Sequence, residues 1–218
     1  MVEVKFCGLT RPEDAAVVAE LGAHYAGVIF AGGPRLVSVE RAREVFAPLR
    51  GGAVLRVGVF GAQTPDEIAG IANATGVDVV QLHGGATGES LARLRGAFGG
   101  LVWVVVHVAG AALPSSIDGV RTDSDGLVLD AAVPGKLGGT GVALDWLAIT
   151  KEVARLRGTT KLVLAGGLQP GNVARAIRLV RPDVVDVSSG VEATTPGIKD
   201  AEKMRAFAQA ARQTTDGE

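Results

Sequence analysis

The chain has 218 residues, 47% of them hydrophobic and only 4% aromatic, with 22 Lys and Arg against 23 Asp and Glu for a net charge of −1. This balance excludes a broadly basic nucleic-acid surface and a polybasic patch for anionic membranes. A single cysteine excludes an intramolecular disulfide and a cysteine-built metal centre, which fits a reducing compartment.

The N-terminus reads as a strand with no basic segment ahead of an apolar one, so no signal peptide is predicted. No apolar run reaches the length of a bilayer span. The expectation is a soluble cytoplasmic domain with a core of Val, Leu, Ile and Ala. In chain order, short Val-rich runs occupy residues 2–7, 25–30, 54–60, 77–83, 101–108, 126–130, 161–165 and 183–188. Continuous apolar runs of this length suit strands buried on both faces, as in a parallel sheet.

Helical patterns separate the runs. Thr10 ahead of Arg11-Pro12-Glu13-Asp14 predicts a capped first helix with proline and acids in its first turn. Ser38 repeats the signal ahead of Val39-Glu40-Arg41, and Thr64-Pro65-Asp66-Glu67 predicts a capping box. Between residues 109 and 121, Gly110, Pro114 and Gly119 leave only a short or irregular fifth helix. Asp145 caps a helix running to about Leu156, and Pro170-Gly171-Asn172 opens the next. The last helix begins near Asp200 and ends by Arg212.

Eight strands alternating with helices, without a linker or a composition break, predict an α/β fold of the closed (β/α)8 TIM-barrel class. One barrel domain over residues 1–213 and a frayed tail at 214–218 are expected. A doubly wound open sheet is the competing architecture, but no G-x-G-x-x-G follows the first strand.

Barrels carry their functional groups at the C-terminal ends of strands and on the loops that follow. Cys7 ends the first run, His83 the fourth and Asp130 the sixth, and Ser188-Ser189-Gly190 follow the eighth. Cys7 reads either as a small buried hydrophobe or as a base for a carbon-bound proton. Asp130 reads either as a loop-starting residue bonded to nearby backbone or as a functional carboxylate. Three glycine-rich turns, Gly138-Gly139-Thr140-Gly141, Gly166-Gly167 and Ser189-Gly190, can converge N–H groups on a phosphate. His83 has no partner histidine or acid at ligand spacing, so no metal is expected. Lys5, two residues before Cys7, shares its inward face, and Asp186 stands on the strand that a closed barrel brings beside the first. A Lys5–Asp186 ion pair is therefore predicted, with Lys5 drawing Cys7 toward thiolate.

The run Lys5-Phe6-Cys7-Gly8-Leu9-Thr10-Arg11-Pro12-Glu13-Asp14 resembles the opening signature of the phosphoribosylanthranilate isomerases. The resemblance continues in order through Pro34-Arg35-Leu36-Val37-Ser38, Val80-Gln81-Leu82-His83-Gly84 and Leu127-Val128-Leu129-Asp130. It takes in Gly138-Gly139-Thr140-Gly141, Asp145-Trp146, Leu164-Ala165-Gly166-Gly167-Leu168 and Asn172-Val173. Asp186-Val187-Ser188-Ser189-Gly190-Val191-Glu192 and Pro196-Gly197-Ile198-Lys199-Asp200 complete it, so it covers nearly the whole chain. Departures are local, such as Gly61-Ala62 after the third strand and Val142-Ala143-Leu144 before Asp145.

The resemblance implies the Amadori rearrangement of N-(5′-phosphoribosyl)anthranilate in tryptophan biosynthesis. One acid protonates the furanose oxygen and one base removes a proton from the adjacent ribose carbon, with no cofactor and no metal. It implies Asp130 as the acid, with a pKa raised by burial, and Cys7 as the base. It implies Arg35 facing the anthranilate carboxylate. It implies that His83 and Asp186 bind substrate and that Gly139, Thr140, Gly141, Gly166, Gly167, Ser188, Ser189 and Gly190 hold the 5′-phosphate. The implied partner is a small phosphorylated substrate, with no nucleic acid and no membrane, for a monomer or homodimer. Two other functions are weighed. One is the matching isomerase of histidine biosynthesis, alone or as a second substrate range, although that family has an aspartate where Cys7 stands. The other is a non-catalytic phosphosugar-binding barrel, which the joint presence of Cys7, Asp130 and Arg35 disfavours.

Overall fold

The structure, a computed structural model, describes residues 1–108, 113–114, 117–131, 145–156, 158 and 160–214. Its strands are β1 (Glu3–Phe6), β2 (Tyr25–Ile29), β3 (Leu55–Phe60), β4 (Val79–Leu82), β5 (Leu101–Val108), β6 (Gly126–Ala131), β7 (Lys161–Leu164) and β8 (Val184–Val187). Between and after them run α1 (Pro12–Glu20), α2 (Val39–Phe46), α3 (Pro65–Thr75), α4 (Gly88–Ala97), α5 (Ile117–Arg121), α6 (Trp146–Leu156), α7 (Val173–Val180) and α8 (Ala201–Gln213). All neighbouring strands pair in parallel, and β8 returns to β1 through Glu3↔Val184 to Phe6↔Val187. That seam closes the sheet into a (β/α)8 barrel and removes the open-sheet alternative.

Two apolar layers hold the ring. Its interior is filled by Tyr25, Val57, Val79, Trp103, Val105, Val128, Val163 and Val184, with Tyr25 and Trp103 meeting edge to face at 4.8 Å. The larger layer lies between the sheet and the helices, where Val4, Phe6, Val28, Val80 and Leu129 meet side chains such as Val18, Val45, Ile149, Val153 and Phe207. Alternation along each strand sends successive side chains into one layer or the other.

A repeated bracket closes the barrel floor. His24, Asp78, Asp125 and Asp183 each stand just before an even-numbered strand. Each accepts at its side chain the backbone N–H of the preceding odd strand, at Val4, Arg56, Val102 and Leu162 respectively, over 2.7–3.3 Å. Each returns its own N–H to that same residue's carbonyl. Their carbonyls accept from the next odd strand in turn, at Leu55, Leu101, Lys161 and, across the seam, Glu3. Four residues thus tie the ring together at the end opposite the site.

Several local expectations shift. Thr10 does not cap α1; its hydroxyl donates to the Gly197 carbonyl at 2.7 Å, and Arg11 occupies the cap position without a side-chain bond. Ser38 and Thr64 cap α2 and α3 as read, Thr64 in a full capping box with Glu67. Asp200 caps α8, which runs one residue past the expected Arg212, and α5 is one short turn. Residues 215–218 of the expected tail lie outside the described residues. Among the described residues no helix is long and apolar enough to cross a membrane.

Candidate active site

At the barrel mouth one cavity is lined by Cys7, Arg35, His83, Asp130, Asp186, Ser188 and the Gly166-Gly167 turn, among others. Cys7 is the first residue past β1, and its N–H donates to the Val187 carbonyl at 2.9 Å. A Cβ at Gly27 on β2 would lie 3.2 Å from Cys7 Sγ, so glycine there leaves the thiol its space. Below it, Lys5 Nζ meets Asp186 Oδ2 at 2.5 Å, with the Lys5 side chain fully buried. The predicted ion pair is present, and the paired registers Lys5↔Asp186 explain it.

Lys5 acts on the thiol in the expected direction, but burial outweighs it. Burial pushes the Cys7 pKa up, Lys5 and Lys199 pull it down, Asp186 pushes it further up, and the net direction is upward. Lys5 is the strongest of the groups that draw Cys7 toward thiolate, yet the desolvation of a buried thiol exceeds it.

Arg35 lines the same cavity and is held there by an acid of its own chain. Its Nε and one terminal nitrogen donate to the two Glu192 carboxylate oxygens at 2.7 and 2.8 Å. That edge of the fork is occupied, leaving the opposite end of the guanidinium for a ligand. Glu192 also accepts from Lys199 Nζ at 3.1 Å and from the Gly197 N–H at 2.8 Å. Burial acts to raise its pKa, but Arg35, Lys199 and Gly197 outweigh burial and hold it at about 2. The Arg35 stem lies over Gly8, where φ is +68° and a Cβ would sit 2.6 Å from Cδ. Glycine at position 8 therefore serves both the left-handed turn after Cys7 and the path of Arg35.

Asp130 is buried inside β6, which extends one residue beyond the expected end, and pairs in register with His107 on β5. His83, the residue after β4, packs its ring edge to face against His107 with centroids 5.0 Å apart. Burial, followed by His107 and Lys5, lowers the His83 pKa to about 4, so its ring is neutral at physiological pH. Ligand atoms of His83, His107 and Asp130 all lie within 4.8 Å of one another. The expectation that His83 has no partners at ligand distance is thus corrected. The sequence separates these residues by tens of positions, and only the adjacency of β4, β5 and β6 joins them.

The expected anion loops are partly described. Gly166 and Gly167 both adopt left-handed backbone, at φ +83° and +65°, and Asn172 braces their turn by donating to the Gly167 carbonyl at 2.9 Å. Ser188 and Ser189 line the same cavity, and Ser188 Oγ is buried without a hydrogen-bond partner among the described residues. Gly190 does not line the cavity; a Cβ there would fall 1.9 Å from the Leu168 carbonyl, so it lets the loops after β7 and β8 abut. Gly139, Thr140 and Gly141 lie outside the described residues.

Residues 4–210 match the model of a family described as N-(5′-phosphoribosyl)anthranilate (PRA) isomerase. The chain belongs to this family. Membership of the PRA isomerases makes it an isomerase enzyme. A PRA isomerase of Rubrobacter xylanophilus is 44% identical, aligned over 97% of this chain and 100% of its own. One of Acetivibrio thermocellus is 39% identical over 100% of this chain and 99% of its own. Among solved structures, the PRA isomerase of Thermotoga maritima superposes with a TM-score of 0.84 at 36% identity, covering 98% of this chain and 100% of that one. Another crystal structure from Thermotoga maritima is of monomers generated from the dimeric isomerase of that organism. A PRA isomerase solved with reduced 1-(o-carboxyphenylamino)-1-deoxyribulose 5-phosphate superposes with a TM-score of 0.81 at 35% identity, over 98% of this chain and 100% of the other.

Proposed function

We propose that the chain converts N-(5′-phosphoribosyl)anthranilate to 1-(2-carboxyphenylamino)-1-deoxyribulose 5-phosphate in tryptophan biosynthesis, with Asp130 as general acid and Cys7 as general base. The observation that carries this reading is the shared cavity. A carboxyl from β6 and a thiol after β1, three strands apart around the ring, line the same space with Arg35 and the Gly166-Gly167 turn. Asp130 gives its proton to the ring oxygen as the bond from that oxygen to the anomeric carbon breaks, leaving a protonated imine. Cys7 then takes the proton from the neighbouring carbon, the electron pair moves to neutralise the imine, and the resulting enol tautomerises to the ketone. Gly166, Gly167, Ser188 and Ser189 hold the phosphate, and the free end of the Arg35 guanidinium takes the anthranilate carboxylate. His83 and Asp186 border the sugar.

Anthranilate fluorescence, which falls as the substrate isomerises, gives the direct test. Purified protein is expected to quench it, and an unchanged signal removes the enzymatic reading. A parallel turnover assay on the histidine-pathway substrate sets the substrate range. Cys7→Ala and Asp130→Ala are each expected to lower kcat by about 10²–10⁴-fold with the fold retained. Near-normal turnover in either removes that residue from the chemistry. Because the resting thiol is held above its ordinary range, kcat/KM for wild type should climb with pH through neutrality and on into the alkaline range. A plateau already reached at pH 6–7 would show another group acting as the base.

A further inference from the structure

We propose that His83, His107 and Asp130 form a transition-metal site at the barrel mouth, and that a divalent ion bound there blocks isomerisation. The donors come from three consecutive strands: His83 just past β4, His107 within β5 and Asp130 within β6. Their ligand atoms lie within 4.8 Å of one another. Metal–nitrogen and metal–oxygen bonds of about 2.0–2.2 Å set tetrahedral ligand separations near ~3.4 Å, so closure needs shifts of about 1 Å. His107 can supply this motion, because its side chain is exposed whereas His83 and Asp130 are buried. His83 Nε2 is itself buried without a hydrogen-bond partner among the described residues, an orphaned donor-type atom in a polar cluster.

Two imidazoles and one carboxylate suit Zn²⁺, Co²⁺ or Ni²⁺ rather than Mg²⁺ or Ca²⁺, which prefer oxygen-only sets. Three protein ligands leave a coordination position open, as in sites that bind a further molecule. The cavity-lining members are His83 and Asp130; His107 lies outside that lining. An ion seated on them would occupy the Asp130 carboxylate and keep it from carrying a proton. The inhibitory half of the proposal rests on the acid role given to Asp130 above; the binding half does not.

The test uses untagged, chelator-stripped full-length protein. Titration with Co²⁺ is expected to produce the visible absorption of a low-coordinate ion at one equivalent. Zn²⁺ should displace it and suppress turnover, and EDTA should restore turnover. His107→Val places a β-branched residue, which suits a strand, in β5 and is expected to leave metal-free turnover unchanged while weakening Zn²⁺ binding by more than about a hundredfold, beyond the loss typical of an outer-shell partner. Its circular dichroism and Tm establish that it is folded. Equal Zn²⁺ affinity in His107→Val and wild type would overturn the site. So would loss of binding in Cys7→Ser with His107→Val unaffected, since the thiol would then be the trap. Stoichiometric binding with undiminished turnover would keep the site and overturn the acid role of Asp130, which separates the two readings.

Discussion

Glu192 governs two cations at once. It grips Arg35 from the side and lies against the buried Lys199, with its own pKa held at about 2. A carboxylate whose folded pKa lies below its unfolded one contributes stability that is complete above the unfolded pKa and is lost as pH falls toward the folded value. For Glu192 that window runs from the ordinary 4.5 down to about 2. Glu192→Gln should destabilise the protein at neutral pH by about 3–5 kcal/mol, because it strands a buried ammonium. The gap to wild type should narrow between pH 4.5 and pH 3. Urea midpoints at both ends of that range decide the matter; a constant gap would mean that the carboxylate is not what Arg35 and Lys199 need. Freed from its clamp, Arg35 should also hold substrate less well, raising KM more than it lowers kcat.

At this scale legibility followed chemistry more than contact. Cys7, Asp130 and the Lys5–Asp186 pair could be read from strand ends and two-residue offsets. Glu192 stood in a recognised block, yet its role depends on meeting Arg35, 157 residues away. His107 looked like one more residue of a Val-rich strand. Nothing in the letters shows that it lies beside His83 until strand neighbours are known.

Among the elements, the loops after β7 and β8 behave as one unit. Gly190 has no room for a Cβ against the Leu168 carbonyl, and Asn172 pins the Gly166-Gly167 turn from the start of α7. Gly190→Ala must push these loops apart, since backbone rather than a flexible side chain blocks it. The expected outcome is a rise in KM of about tenfold, with a smaller change in kcat, because ordered N–H groups near an anion lose their alignment. Steady-state kinetics with inorganic phosphate as a competing ligand reads this directly, and phosphate inhibition as strong as in wild type would contradict it. The strands themselves were legible because apolar runs buried on both faces leave a continuous trace. Their ends were less so: apolar residues continue past the last ladder pair, as at β2 and β7, whereas β6 carries its pairing beyond Asp130. Thr10 misled because its hydroxyl serves a distant carbonyl rather than its own helix.

For the molecule as a whole, function and closure sit at opposite ends. The cavity occupies the C-terminal mouth, while His24, Asp78, Asp125 and Asp183 bracket the floor. Asp125→Ala leaves the Val102 N–H without its acceptor and also removes the partner of Arg95, so a loss of about 1–3 kcal/mol is expected. With the mouth untouched, kcat/KM should stay at the wild-type value. A thermal melt and a kinetic assay on the same preparation suffice, and a fall in kcat/KM with no fall in Tm would reverse the assignment. In the sequence, Asp78 and Asp183 looked only like charged residues inside apolar runs, because their purpose is visible from the neighbouring strand alone.

The bracket ring also bears on how the molecule comes apart. Each of the four residues binds the strand behind it and the strand ahead, and the last bond of the set, from Glu3 to the Asp183 carbonyl, spans the seam where the chain's first and last strands meet. A closed sheet joined in this way offers no peeling edge, so opening one seam at the floor strains the brackets on either side. Unfolding should then proceed as a single event. Loss of Trp103 fluorescence inside the ring and loss of helical ellipticity outside it should trace one coincident transition.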